Sequence, residues 1–528
     1  MTTANVLMTQ VLRHLFLLIA VVGTAGAAPS DYATWRSLSH ERQAELAPAL
    51  EPKAFRKLPN KERQEISQAA LLFSKDAIGR LPNGKLKTVK NETEKHLLRI
   101  AGDYLNKLPP DKVLAHPRAG ELFGNIPEGA QRVDHTLKID PTSERWHSTG
   151  LYAAPGEVVK VVVPPSWIGK GIKVRLSGHI DKIPQTKNMV RLPTAVSRVF
   201  DINATSTMAA SAFGGAIYID TGKKPINAPP FEVQISNALT APTFKLGTTT
   251  PEAWREKLRH APAPYAELLC DRVAFSIPSA WVRDLDDPTE LLRYWDRVVE
   301  LHDQLGGTSH LRSCAERVNV DVQISLGLFH SGYPMQGPQD QCRKMIDLTA
   351  LRQQGNWGWF HELGHEAQRR PDKAWGCNNP YTFDGSVEVT VNLFTVHAYD
   401  KLAIAPKQSF AWTVDPALVS AKARKAIEAK TPYAEADVGT RLAMYLQLRD
   451  GFGWEPIQTV LKSYSDDQCA NPEKLPKSDQ HKRDEFLVRM SRAVNRNLSP
   501  FMKDLWGIEI SDEARNSVSQ LKPWMPES

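Results

Sequence analysis

The sequence predicts an α+β protein, and three observations carry that expectation. Between residues 136 and 250, short β-branched runs are broken by Pro, Gly and Asp. On either side of them the apolar spacing changes to the i, i+3/i+4 period of amphipathic helices. In the second helical stretch, Trp357-Gly-Trp-Phe-His361-Glu362-Leu-Gly-His365 sets two histidines four residues apart. The expected order is an N-terminal helical accessory region, a β-sandwich subdomain, and a helical metal-binding domain closed by a helical buttress.

Taken in order, residues 1–27 read as a secretory signal. Arg13 and His14 give a basic edge, Leu15 to Val22 a short apolar core, and Ala25-Gly-Ala27 a small-residue cleavage site. The run is too short to span a bilayer, and no other stretch is long and apolar enough. Export to the periplasm or the extracellular medium, with no stable membrane insertion, is the expectation. Residues 28–135 read as helical and rather polar. Glu41-Arg-Gln43 recurs as Glu62-Arg-Gln64, which suggests a duplicated helical hairpin, and Glu92 to Leu108 makes a further helix that stops before Pro109-Pro110.

In residues 136–250, Val158–Val163, Ile172–Leu176, Ala216–Ile219 and Phe231–Ile235 are the candidate strands. His179 and Asp181 fall just past one of them and are left outside the expected site. In residues 251–465, Asp287-Pro288 opens a helix whose stripe is Leu291, Trp295, Val298 and Leu301. Val320 to Leu328 reads as a buried strand leading to a Gly332-Tyr333-Pro334 turn, placed at the edge of a substrate cleft. Helices from Ala417 to Leu448 and from Asp484 to Trp506 are expected to buttress the metal-binding helices, the last segment being 466–528.

The histidine pair carries the chemistry. At a spacing of four, both imidazoles lie on one face of a helix, one turn apart, and can hold one ion. Glu362 is displaced by one residue, so it lies beside that ion and can take a proton from a water there. This is the HExxH arrangement of zinc peptidases. A catalytic zinc keeps three protein ligands, so one more is needed. Glu388 is the candidate. It opens Val387-Glu-Val-Thr-Val-Asn392-Leu-Phe394, which suits a second buried helix capped by Ser386 or Asp384, although its β-branched content would also suit a strand. Cys377, between the motif and Glu388, is read as structural. Gln368 and Pro371 stand where a longer three-histidine motif would place Gly and His, which excludes that class. Two imidazoles favour zinc over magnesium. Asn392 is a candidate to support the ligands from behind. His397 and Tyr445 are candidates for stabilising an oxyanion. Trp357, Trp359 and Trp375 surround the motif and could stack on sugar rings, although such residues are more often core.

The HExxH segment, Glu388-Val-Thr-Val-Asn392-Leu-Phe, Val320-Asp-Val-Gln-Ile-Ser325, His330-Ser-Gly-Tyr-Pro334 and Phe213-Gly-Gly-Ala-Ile-Tyr218 together resemble the enhancin-like, mucin-targeting zinc metallopeptidases, family M-sixty. The resemblance covers roughly residues 146 to 465. It implies a gluzincin-like fold with a β-sandwich ahead of the catalytic helices. It also implies one zinc ion on His361, His365 and Glu388, with Glu362 as the acid/base. The activity it implies is endopeptidase cleavage of O-glycosylated, mucin-like proteins. The alternatives are a zinc-containing glycan- or protein-binding module with little hydrolysis, and a gluzincin aminopeptidase, for which no exopeptidase motif is recognisable.

Composition limits the rest. The 528 residues suffice for roughly two to four domains. The net charge of +7 with 24% charged residues is a mild excess. With no arginine-rich arm or finger spacing, nucleic acid is not an expected partner. The five cysteines all lie in the second half, and their odd number leaves at least one unpaired. Nothing in the sequence sets an oligomeric state.

Overall fold

A computed structural model describes residues 28–183, 186–368, 379–405 and 416–527. The candidate signal at 1–27, Trp375 and Cys377 lie outside the described residues. No disulfide joins the four described cysteines, Cys270, Cys314, Cys342 and Cys469. No described helix is long and apolar enough to cross a membrane.

The N-terminal part is helical, with α1 at His40–Leu50, α2 at Pro52–Lys57, α3 at Asn60–Ala77 and α4 at Glu92–Lys107. The two Glu-Arg-Gln copies fall in the first turns of α1 and α3, where acidic side chains suit the positive end of the helix. The Ser39 side chain caps α1, and Asn91 caps α4. Their apolar faces close a core with Phe123, Phe213 and Tyr218, which ties these helices to the following sheet.

Eight strands follow: β1 Val133–Ile139, β2 Trp146–Ala153, β3 Val159–Val162, β4 Lys173–Leu176, β5 Arg198–Asp201, β6 Ser206–Ala209, β7 Gly215–Asp220 and β8 Phe231–Thr240. They make one antiparallel sheet in the order β5-β4-β7-β2-β8-β3-β6, with β1 also on β8. The first part of β8 pairs with β1 and β3, and its end pairs with β2 at Leu151 and Tyr152. Between them Asn237 has a positive φ of 63° and the register shifts. One strand thus passes from one layer to the other, and the expected sandwich is joined into a barrel-like sheet. Val161, Val174, Leu176, Ile217, Val233 and Ile235 fill it.

A second, mixed sheet was not anticipated. Its strands are β9 Thr243–Lys245, β10 Tyr265–Leu269, β11 Val273–Pro278, β12 Glu316–Asp321 and β13 Met335–Pro338, in the order β13-β12-β11-β10-β9. Only β10 and β11 run antiparallel. The expectation that the chain turns helical from about 250 is therefore corrected. β11 and β12 are buried along their whole length, so they show no alternation by which to recognise them. The strand expected over Val320–Leu328 is also displaced. β12 ends at Asp321, and Leu326 and Leu328 are exposed. Asp321 stops the strand by turning its carboxylate onto the Gln323 N–H and onto Arg191.

Against the second sheet lies α5, Thr289–Gly306, with Leu291, Trp295, Val298 and Leu301 buried as the stripe requires. Then come α6, Trp357–Gln368, and α7, Val387–Lys401, which is helical as preferred. Around α7 pack α8 Pro416–Glu428, α9 Val438–Phe452, α10 Trp454–Ala470 and α11 Asp479–Val494.

One buried polar link joins the parts. Arg191 and Asp321 are both fully buried and form a two-point ion pair, with Nε to Oδ1 at 3.0 Å and a terminal nitrogen to Oδ2 at 2.9 Å. Arg191 also donates to the carbonyls of Asp181, Leu192 and Gln323. It fixes the loop after β4 against the loop after β12, and both loops reach the candidate site.

Candidate metal centre

Helix α6 starts where the Asn356 side chain accepts the Trp359 N–H at 3.2 Å. Trp359, Phe360 and Leu363 turn into the core shared with α5 and the second sheet. Gly364 sets the distance to α7: a Cβ there would meet Val391 Cγ2 at 3.0 Å and Phe394 Cβ at 3.2 Å. The helices can therefore approach closely enough for their side chains to meet.

They meet at the predicted residues. His361, Glu362 and His365 are buried, while Glu388, in the first turn of α7, has a side chain 53% exposed. His361 Nε2 lies 3.0 Å from one Glu388 oxygen, and His365 Nε2 lies 3.5 Å from the other. One ligand atom from each of the three residues lies within 4.8 Å of the others. Ligand atoms about 2 Å from a tetrahedral zinc would stand about 3.4 Å apart. The donor set and its spacing therefore fit that ion.

Both imidazoles are held from behind. The His361 Nδ1–H donates to Asn392 Oδ1 at 3.1 Å. The same oxygen accepts the Trp357 indole N–H at 3.0 Å, and the Asn392 amide donates to the Glu388 carbonyl at 2.8 Å. The His365 Nδ1–H donates to Gln368 Oε1 at 2.9 Å, and Gln368 in turn donates to Thr390 Oγ1 at 2.6 Å. Fixing each Nδ1 as a donor leaves Nε2 as the ligand atom. Asn392 thus sits where the sequence placed it, whereas Gln368 was read only as a departure from another motif. Its position three residues past His365, on the same helix face, was the available signal. Replacing Asn392 or Gln368 by Ala is expected to weaken zinc binding about 10- to 100-fold, read by competition with a chelator.

The electrostatics separate the two carboxylates. Hydrogen bonds from His361 and His365 hold Glu388 well below the usual carboxylate range. Burial pushes Glu362 upward, against the pull of the His361 and His365 charges. Burial opposes charge on His361 as well, but Glu388, Glu362 and Asn392 outweigh it and raise its pKa. Glu362 makes no hydrogen bond among the described residues.

A wall beside Glu362 comes from the loop after β12. Gly332 N–H donates to Glu366 on α6 at 2.7 Å, which places the Gly332-Tyr333-Pro334 turn against the motif helix. His330 Nε2–H donates to Asp181 Oδ2 at 2.8 Å, and Asp181 also accepts the Ser325 N–H and hydroxyl. Burial opposes charge on His330, but Asp181, the Ser331 carbonyl and Glu362 outweigh it and raise its pKa. Asp181, set aside in the sequence, therefore belongs to a network that acts on Glu362. Its neighbour His179 does not. It is buried between Phe123 and Tyr265, at ring separations of 4.5 and 4.8 Å, and accepts a hydrogen bond from Asn319.

Several other expectations need correction. His397 is nine residues past Glu388, half a turn out of phase at 100° per residue, so it points away from the centre. It packs on Trp454 at 4.9 Å, and burial lowers its pKa to about 3. Tyr445 is buried in the helical core, with its hydroxyl near that of Tyr433. Neither is placed to stabilise an oxyanion. Ser386 occupies the position before α7 but caps nothing, because its hydroxyl donates to the Phe383 carbonyl. Asp384 pairs with Arg483 instead. Trp359 is core, and Trp357 packs against His361 in a tilted contact at 4.7 Å while bonded to Asn392.

Comparison with known proteins adds the following. The model of a family described as Peptidase M60, enhancin and enhancin-like, matches residues 237–507, just over half of the chain. A model of the N-terminal domain of M60-like peptidases matches residues 128–236. A curated relative, TRPM8 channel-associated factor 3 of Rattus norvegicus, is 32% identical over 74% of this chain and 41% of its own length. The chain thus spans about two fifths of the length of the curated relatives it matches. Among solved structures, a functionally unknown conserved protein from Bacillus anthracis aligns with a TM-score of 0.59 at 18% identity, over 74% of this chain and 80% of that one. IMPa from Pseudomonas aeruginosa, solved in complex with an O-glycopeptide, aligns with a TM-score of 0.55 at 18% identity, over 89% of this chain and 63% of that one.

Proposed function

The chain belongs to the peptidase M60, enhancin and enhancin-like family, and from that premise we propose that it is a zinc-dependent endopeptidase that cleaves O-glycosylated proteins outside the cytoplasm. The observation that carries this reading is the convergence of His361, His365 and Glu388 beside a buried Glu362 that has no hydrogen-bond partner among the described residues. In this reading the three ligands hold one zinc ion. Zinc bound there supplies a Lewis acid, which makes a carbonyl electrophilic and a water more acidic. Glu362 takes the proton from the attacking water and passes it to the leaving amine. Burial raises its pKa from the ordinary carboxylate value, which suits a group that must first accept a proton and then return it. His330, held by Asp181 and coupled to Glu362, takes the role first sought in His397 and Tyr445: its raised pKa favours the protonated ring, whose charge would favour the developing oxyanion.

The substrate class draws on IMPa, which was solved in complex with an O-glycopeptide, and on a likeness of fold. Export draws on the apolar run at 15–22 and the small residues after it. The curated relatives favour a second reading, because their names describe association with a channel rather than hydrolysis. In that reading the chain is a zinc-containing binding module. Digesting an O-glycosylated protein beside its deglycosylated form, with fragments identified by mass spectrometry, separates these. The peptidase reading expects cleavage that weakens when the sugars are removed. Equal cleavage of both removes the glycoprotein preference, and no cleavage of either favours the binding module.

A further inference from the structure

Helices α2, α3 and α4 enclose a cleft of about 670 Å³ that none of the catalytic residues line. That volume lies within the range of about 300–1,000 Å³ common for small-ligand sites. Its charge is one-sided. Arg56, Arg63, Arg99 and Lys107 line it, against one acid, Asp103. Asp103 is exposed and accepts a hydrogen bond from Thr194 at 3.3 Å, so it is partly engaged elsewhere.

The cations are poorly satisfied. The Arg99 side chain is half-buried yet makes no hydrogen bond or ion pair among the described residues; burial lowers its pKa, and the pull of Asp103 and Glu51, opposed by Arg56, does not restore it. Among the described residues, Arg63 has a buried Nε without a partner, and its terminal nitrogens reach the Arg56 carbonyl at 3.4 Å and Asn60 at 3.5 Å. Partly buried guanidinium groups that outnumber the acids beside them cost stability. An anionic ligand would relieve that cost through two-point hydrogen bonds. Phe55 and Tyr104 add partly exposed rings. The walls are helical and present side chains only. They offer no sheet edge to bind the backbone of an extended peptide, whereas rings, an amide and a phenol suit the faces and hydroxyls of a sugar.

We propose that this cleft binds an acidic, carboxylate-bearing sugar, with Arg63 and Arg99 on the carboxylate and Phe55 and Tyr104 against the ring. The proposal goes beyond the peptidase reading and is tested apart from it, since binding is read in the full chain carrying Glu362→Gln. Calorimetric titration with 3′-sialyllactose is compared with lactose, which lacks the acidic sugar. We expect at least tenfold tighter binding of sialyllactose, at least a tenfold loss in Arg99→Gln, and a smaller loss in Arg56→Gln. Arg56 is exposed, so its variant keeps the test open if Arg99→Gln fails to fold. Equal affinity for lactose, or unchanged binding in the folded variants, overturns the proposal. So does equally tight competition by hexaglutamate, which would make the cleft a site for acidic peptides.

Discussion

Glu362→Gln is expected to keep its zinc and to lose turnover by a factor of about 10² or more, the scale of removing a general base. The substitution preserves size and shape, and Glu362 makes no hydrogen bond to a described residue that the amide would break. Burial raises the Glu362 pKa while His361 and His365 draw it down, so its protonation depends on the site's own charges. Glutamine can neither accept the water's proton nor deliver it to the amine. Zinc content and steady-state rates, measured on the same preparation, check this. Loss of zinc together with activity would mean that Glu362 is a ligand. Unchanged turnover would move the base elsewhere.

Arg191→Met is expected to destabilise the fold by about 3–5 kcal/mol, because it leaves Asp321 as a buried charge without its arginine, with His179 and the Gln323 N–H still beside it. Burial alone would raise the Asp321 pKa, but Arg191 first and His179 second bring it down to about 2. A carboxylate depressed in this way adds stability above its unfolded value of about 3.9. That contribution fades as the pH falls from there towards 2. Chemical denaturation at neutral and acid pH reads both effects. The wild type should lose this contribution on acidification, and the variant should have little of it to lose. The double variant Arg191→Met/Asp321→Leu should recover much of the loss, since apolar groups can replace a buried pair. A double variant as unstable as the single would show that the other hydrogen bonds of Arg191 carry the effect. Activity should fall as well, because Arg191 positions Asp181, which holds His330.

The parts of the site legible in the sequence were those set by local spacing. The interval of four between His361 and His365 fixes their common helix face, and Glu388 was identifiable as an acid opening a buried helix. Asn392, one turn beyond Glu388, followed from the same geometry. What could not be read depends on distance along the chain. Asp181 and His330 are 149 residues apart and meet only because two loops converge. Burial hid other elements. Val273-Ala-Phe-Ser-Ile-Pro278 is covered on both faces, so its strand shows no alternation. In the segment after Asp321, Leu326 and Leu328 imitate strand alternation but point into solvent, because the Asp321 carboxylate has already turned the chain. His397 was misjudged for a different reason: chemistry suggested it, and helical phase excludes it.

The central claim is that His361, His365 and Glu388 hold one zinc ion. Elemental analysis of the purified wild type beside the His361→Ala/His365→Ala variant tests it most directly. The account predicts about one zinc per chain in the wild type and none in the variant. A folded double variant that retains a full equivalent of zinc would contradict it.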